Sequence, residues 1–484
     1  MKLNVKHKTL LILFALLVLT CTPVLAVEIE EGFGDLQLAE QWSGDFDGMA
    51  ERRIIRVLVV HNKMVFFLDQ GRHRGVNVDL FNEFDKFINK KQKTRTLKIH
   101  ILFLPVQRDQ LLSALVEGRG DIAAAGLTIT GERKKLVDFS NPLLTGVKEI
   151  VIAGPDQPEI KSLEDLAGRE LHLRPSSSYF QHVVALNKDF MKKGLDPVNI
   201  VAASEFLEDS DLLEMVNAGL IPMVIVDDDK ARFWSEIFEN IKLYPDIAVN
   251  SGGEIGWAFR KNSPKLAAVI NEFVKKYKKG TLLGNIIYKR YLKENKWARN
   301  ALNPEEMKKF EAVVDLFKTY ADRYDFDYLM TGALAYQESQ LDHSSKSHVG
   351  AVGIMQILPG TAAGRNVGIP DISKLEDNIH AGHKYLRFIQ DRYFNDPQID
   401  TLNKYLFTFA AYNAGPAKVS RLRKEAKEKG LDPNVWFQNV EIIAAKRIGR
   451  ETVQYVSNIY KYYISYKLAE EKAEKKKEKK AGGS

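Results

Sequence analysis

The chain has 484 residues, 45% of them hydrophobic and 27% charged, which is a globular composition and too long for one ordinary domain. A formal net charge of +7 favours anionic partners, but no zinc-finger or RNA-binding signature accompanies it, so no nucleic acid is expected. The one cysteine, Cys21, excludes an internal disulfide and a cysteine-based metal site.

Residues 1–26 read as an export signal. Lys2, Lys6 and Lys8 precede the apolar run Leu10–Leu19, which is short for a membrane span, and Val24-Leu25-Ala26 suits cleavage after Ala26. Two alternatives stay open. The apolar stretch could remain as an anchor, or Cys21 in Leu17-Val18-Leu19-Thr20-Cys21 could be lipidated. Residues 27–52 are mixed and acidic and read as a leader with little structure.

Residues 53–296 read as an α/β domain. Ile54–Val60, Lys98–Leu104 and Gly120–Ala125 are strand-like runs, and Val78–Phe87 and Gln107–Glu117 have helical spacing. A second unit of the same kind runs from about Val151 to Ala248. Alternation of strand and helix predicts mainly parallel sheets. Met223–Asp227 is a strand that ends on an aspartate.

Residues 297–467 read as all-helical. Asn303-Pro304-Glu305-Glu306 is a helix start, and Met307, Phe310, Val314, Phe317 and Ala321 repeat at helical spacing. Loops are expected at Asp342–Val352 and Ile369–Asp377. The tail, 468–484, is dominated by Lys and Glu and reads as a solvated helix end.

Leu329–Glu338 is an apolar helical run that ends on a carboxylate. Such a position desolvates the carboxyl, raises its pKa and suits it to general acid work. Asp342, four residues on, is the obvious second carboxylate for a two-carboxylate glycosidase. Neither pattern calls for a metal or a cofactor.

Three segments occur in order: Ala335–Asp342 around Glu338, Gly350–Pro359 around Met355-Gln356, and Ala410–Pro416 around Tyr412-Asn413. Together they resemble the lysozyme-like catalytic domain of the soluble lytic transglycosylase family, which cleaves the glycan strands of peptidoglycan. The resemblance implies Glu338 as the catalytic acid, with Asp342 not used. It implies Ser339, Ser347, Met355, Gln356, Tyr412 and Asn413 as substrate-binding residues. Glu451-Thr452 and Tyr455-Val456 resemble the terminal motif and imply Tyr455 in the cleft, although a core aromatic among Tyr460, Tyr462 and Tyr463 reads equally well.

In the first domain, Gly75–Leu80, Gly120-Asp121-Ile122, Thr128–Arg133 and Val137–Pro142 resemble the family 3 extracellular solute-binding proteins. That resemblance implies two hinged lobes, with Arg133 and Thr128 on a ligand carboxylate, Ser177 and Ser178 as hydroxyl contacts, and Asp227 on a ligand ammonium. The expected architecture is multidomain: a two-lobed α/β periplasmic-binding-protein-like domain, then an all-α lysozyme-like domain. The expected protein is a periplasmic lytic transglycosylase, peripherally associated with the outer membrane, that makes 1,6-anhydro ends. Muropeptides or amino acids would bind the first domain and regulate the second. Two other classes stay open: a binding protein with an inactive helical domain, and a lysozyme-type hydrolase.

Overall fold

The computed structural model describes residues 41–69, 72–94, 97–293 and 304–481; the export signal and Cys21 lie outside the described residues. In chain order the strands are β1 (Ile54–Val59), β2 (Phe67–Asp69), β3 (Arg72–Arg74), β4 (His100–Pro105), β5 (Ile122–Thr128), β6 (Asp138–Phe139), β7 (Leu144–Ala153), β8 (Glu170–Leu173), β9 (Asn199–Ala202), β10 (Met223–Asp227) and β11 (Lys242–Phe259). The helices among them are α1 (Phe46–Glu51), α2 (Val76–Lys91), α3 (Leu111–Val116), α4 (Gly131–Leu136), α5 (Ser178–Lys192), α6 (Asp209–Asn217), α7 (Asp228–Ser235), α8 (Pro264–Tyr277) and α9 (Leu282–Lys293).

The main sheet runs β10-β7-β11-β5-β1-β4. β1 pairs in parallel with β4 and β5, as alternation predicts for the first lobe. The second lobe departs from the expected parallel sheet. There β10, β7 and β11 pair antiparallel, and only β8 and β9 form a small parallel sheet. Periodicity reports which segments are strands, whereas partner and direction are set by how the chain returns. β7 and β11 run through both lobes and form the hinge. Register shifts in β11 fall between Tyr244 and Ala248 and again around Gly253, beside Pro245 and the Gly252-Gly253 pair.

The Gly120-Asp121 motif has a structural role. A Cβ on Gly120 would lie 2.3 Å from Leu58 Cγ. Asp121 is fully buried and bound by Arg52, Arg56 (3.1 Å) and Arg260 (3.3 Å). The leader expected at 27–52 needs correction over its last residues. α1 buries Phe46 and Met49 and is capped by Asp45, whose carboxylate also accepts from Lys265 N and Leu266 N at 2.8 Å each. Arg52 lies 3.7 Å over the Trp42 ring. Trp42, Asp45, Phe46 and Met49 thus dock the end of the acidic stretch onto the first lobe beside β1 and α8.

The second domain comprises α10 (Pro304–Tyr324), α11 (Tyr328–Ser339), α12 (Pro359–Ala363), α13 (Leu375–Tyr393), α14 (Thr401–Ala414), α15 (Pro416–Glu428), α16 (Glu441–Arg447) and α17 (Arg450–Ala481). α11 is the central element. Asp327 caps it by accepting from Leu329 N at 2.8 Å, and Leu329–Tyr336 are all buried. Gly332 lets α10 approach, since a Cβ there would meet Phe310 at 2.4 Å. The second expected loop is shorter than its sequence suggests, because α13 begins at Leu375.

The two domains share packing. Phe206 of the second lobe lies 4.3 Å from the Phe437 ring and 5.0 Å from Tyr460. Asp211 pairs with Lys461 at 3.1 Å, and Gln438 donates to Gln107 of the first lobe at 2.5 Å. Buried apolar residues of the second lobe and of the helical domain form one continuous cluster.

Candidate active site

Glu338 is the penultimate residue of α11. The helix ends there because Gln340 and Leu341 adopt left-handed backbone, φ 57° and 60°. The stop leaves the carboxylate at the rim of a buried helix. Burial pushes its carboxyl up to about 7, and a hydrogen bond from the Tyr455 hydroxyl on α17 partly offsets that rise. Tyr412 on α14 is close enough to feel the Glu338 charge and is a neighbour of Tyr455. Its hydroxyl donates to the Met355 carbonyl at 2.7 Å, and burial and then the Glu338 charge push the phenol well above its ordinary value.

The loop from 340 to 358 is pinned between α11 and α13. Ser339 Oγ donates to Ile354 O at 2.8 Å. Asn378, fully buried on α13, accepts from Met355 N at 2.9 Å and donates to Val352 O at 3.0 Å. Gly353 needs to be glycine: φ is 79°, and a Cβ would lie 2.4 Å from Asn378 Nδ2. Gln356, at φ 45°, donates to Ser345 O at 3.0 Å and Gly353 O at 2.8 Å.

The expected site residues therefore separate into groups. Glu338, Tyr412 and Tyr455 are brought together. Met355 is not positioned as a side-chain contact. It is fully buried against Gly382, and its carbonyl anchors Tyr412. Ser339 is spent on the loop. Ser347 Oγ accepts from Ala351 N at 3.0 Å and holds the turn before Gly350. Asn413 is exposed and accepts from Thr452 Oγ1 at 2.8 Å. Asp342 is exposed and belongs to a turn; hydrogen bonds from the Ser344 hydroxyl and N–H hold its carboxyl below the usual range.

Two residues escape the sequence reading. Asn378 is a polar residue on the apolar side of an amphipathic helix, which is a readable signal. Tyr385 packs 5.5 Å from the Tyr412 ring and extends the aromatic wall, with nothing local to mark it.

In the first domain the lobes are closed on one another. Arg133 is 7% exposed and donates to Thr128 O at 2.8 Å and, across the cleft, to Ser176 O at 3.0 Å. Ser178 Oγ donates to Glu149 at 2.8 Å and accepts from the Thr128 hydroxyl at 3.1 Å. Arg108 pairs with Glu208 at 2.5 Å. Ser177 does not offer a free hydroxyl: it caps α5 by accepting from Phe180 N and donates to Arg174 O at 2.7 Å. Asp227 is buried, and burial, more than its neighbours, pushes it up to about 6. Among the described residues no group of His, Cys, Asp and Glu is suited to hold a metal ion.

Comparison with known proteins finds the Transglycosylase SLT domain at residues 315–435 and the bacterial extracellular solute-binding proteins, family 3, at residues 55–294. A Desulfosudis oleivorans protein named membrane-bound lytic murein transglycosylase F is 30% identical over 434 residues, covering 84% of this chain and 89% of its own. A Pseudomonas fluorescens protein of the same name is 25% identical over 437 residues, covering 85% and 84%. Among solved structures, an ancestral arginine-binding protein bound to arginine is 26% identical, covers 50% of this chain and 98% of its own, and superposes with a TM-score of 0.41.

Proposed function

The chain belongs to the family of membrane-bound lytic murein transglycosylase F, and on that premise we propose how its residues do the chemistry. It is a lytic transglycosylase of peptidoglycan with a solute-binding-like regulatory domain. Glu338 is the acid in this reading, and the observation that carries it is a carboxyl held near 7 at the end of a buried helix.

Protonated Glu338 donates to the glycosidic oxygen between MurNAc and GlcNAc as the bond to C1 breaks. The MurNAc N-acetyl carbonyl stabilises the positive charge that develops at C1. Glu338, now a carboxylate, takes the proton of the C6 hydroxyl, whose oxygen closes on C1. Glu338 thus regains from C6 a proton in place of the one kept by the leaving oxygen, and no water is consumed. One carboxylate suffices for this sequence. A two-carboxylate mechanism needs a second group about 5–9 Å away across the sugar, and Asp342 is committed to Ser344. Tyr455 supports the first half of the cycle, because a donor to the carboxylate stabilises the ionised form that proton donation leaves behind. Tyr412, fixed by Met355 O, walls the reacting sugar.

Peripheral association with the outer membrane is part of the same proposal. Among the described residues no helix is long and apolar enough to cross a membrane. Attachment would then depend on the N-terminal segment, and fractionation of a Cys21→Ala variant tests whether that cysteine is involved.

Mass spectrometry of products from purified peptidoglycan tests the chemistry. Expected are 1,6-anhydroMurNAc ends that disappear with Glu338→Gln. Reducing MurNAc ends would instead make the enzyme a hydrolase.

A further inference from the structure

Lys230 lies three residues after Asp227, in the first turn of α7, and turns back over that carboxylate. Its Nζ is 2.8 Å from Asp227 Oδ2, 2.7 Å from Asp209 Oδ2 and 3.2 Å from the Tyr179 hydroxyl. The ammonium donates to Asp209 and Tyr179, and it holds Asp227 as an ion pair whose carboxylate oxygens accept no hydrogen bond among the described residues. The other oxygen of Asp209 is held by Arg174 at 2.5 Å. The Lys230 side chain is only 14% exposed and that of Asp227 only 1%. Little water screens this cage, so a second cation brought to Asp227 would meet Lys230 at close to full strength.

Arg133 presents the opposite situation. Its hydrogen bonds go to the carbonyls of Thr128 and Ser176, and no carboxylate is among those partners. Burial and the nearby Arg108 weigh against its charge more than Glu149 and Asp227 support it, so the guanidinium is incompletely compensated. The cleft therefore has a demand for an anion at Arg133, while the charge of Asp227 is already paired with Lys230 inside the chain.

We infer that Lys230 occupies the place of a ligand ammonium, so that this cleft selects carboxylates whose nitrogen is acylated or absent over free α-amino acids. The ligand class is the carboxylate end of an N-acylated amino acid or peptide. This inference rests on the reading of the Arg133 cleft as a solute site and replaces its zwitterionic ligand with an anionic one.

Paired calorimetric titrations of the full chain test it. The probes are L-leucine, L-glutamine and L-alanine, each beside its N-acetyl derivative; within a pair, side-chain preference cancels. Each acetylated member is expected to bind at least about tenfold more tightly, since like charges juxtaposed in a desolvated site repel. Lys230→Met should reverse the order, because Asp227 then lacks a cation and the free ammonium supplies it, while Asp209 keeps Arg174. Lys230→Gln, which keeps a donor without the charge, should move the ratio the same way and guards against misfolding of the first variant. Free amino acids binding as well as their acetylated partners in the wild type would overturn the inference, as would an unchanged ratio in both Lys230 variants. Arg133→Ala should abolish binding of every probe. If it binds as wild type does, or if the wild type binds none of the six, the cleft reading itself falls and the role of Lys230 with it.

Discussion

Tyr455 donates its hydroxyl to Oε1 of Glu338 from a helix 117 residues further along the chain. The contact places the end of α11 and the start of α17 in one chemical unit. It also sets the Glu338 carboxyl between two opposing effects. Burial favours the proton on Glu338, and the hydroxyl favours the carboxylate. A group that must give and then recover a proton is best served near that balance.

Glu338→Gln removes the acid with almost no change in shape. Loss of general acid–base work should lower the cleavage rate by at least ~10²–10⁴-fold. Release of anhydromuropeptides at the wild-type rate would rule out Glu338 as the acid.

The same substitution has a pH-dependent effect on stability. The folded carboxyl is raised from 4.5 to about 7, so between those values the folded state holds a proton that the unfolded state has released. Below about 4.5 both states are protonated and the group is neutral in its effect. Above about 7 the folded state bears the full cost of a buried charge, on the order of 3 kcal/mol at most. Wild type should therefore lose stability relative to Glu338→Gln as pH rises from 4.5 to 7. Thermal melts of both proteins at pH 4, 6 and 8 would show a widening gap; a constant difference would mean the carboxyl is not perturbed.

Tyr455→Phe should raise the Glu338 pKa further, since the hydrogen bond it removes favours the ionised form. A charge-assisted bond of about 1.5 kcal/mol corresponds to about one pH unit. The basic limb of the pH–rate profile should move up by that amount while the maximal rate falls. A lower rate with an unmoved limb would make Tyr455 a packing residue only.

How far the sequence reaches depends on the kind of constraint. Glu338 and Tyr412 are marked in the sequence by motif resemblance, and the glycines of the Gly350–Pro359 turn by the positive φ that they adopt. The antiparallel second lobe is not, because β10 and β7 are joined by long excursions whose return direction leaves no local trace. Met355 illustrates a subtler limit. Motif resemblance marks the position, but only packing on Gly382 shows that its carbonyl, and not its side chain, serves the site. Lys230 was similarly silent, an ordinary lysine in an aspartate-rich run until its ammonium is seen against Asp227 and Asp209.

Gly353→Ala tests whether the loop turn is required. The added Cβ meets Asn378 and the backbone stays at positive φ, so strain of about 1–3 kcal/mol is expected. Because Asn378 also fixes Met355, which anchors Tyr412, activity should fall more than the lowered melting temperature explains. Wild-type activity at full folding would show that the turn is not what positions Tyr412.

A chain beginning at about Ala301 and ending at about Lys467 tests how far the helical domain stands alone. The hydrogen-bonded groups around Glu338, Tyr412 and Met355 all come from residues 328–455, so glycan cleavage should be retained. Stability should not be. Removing the first domain uncovers Phe437 and Tyr460 where Phe206 packs and leaves Lys461 without Asp211. Exposing two large aromatic side chains should cost about 2–4 kcal/mol. The expected result is a cooperatively folded domain with a lower melting temperature and cleavage within about tenfold of the full chain. A folded but inactive fragment would mean that the first domain supplies part of the site. A fragment as stable as the full chain would mean that the shared apolar cluster contributes nothing to the fold.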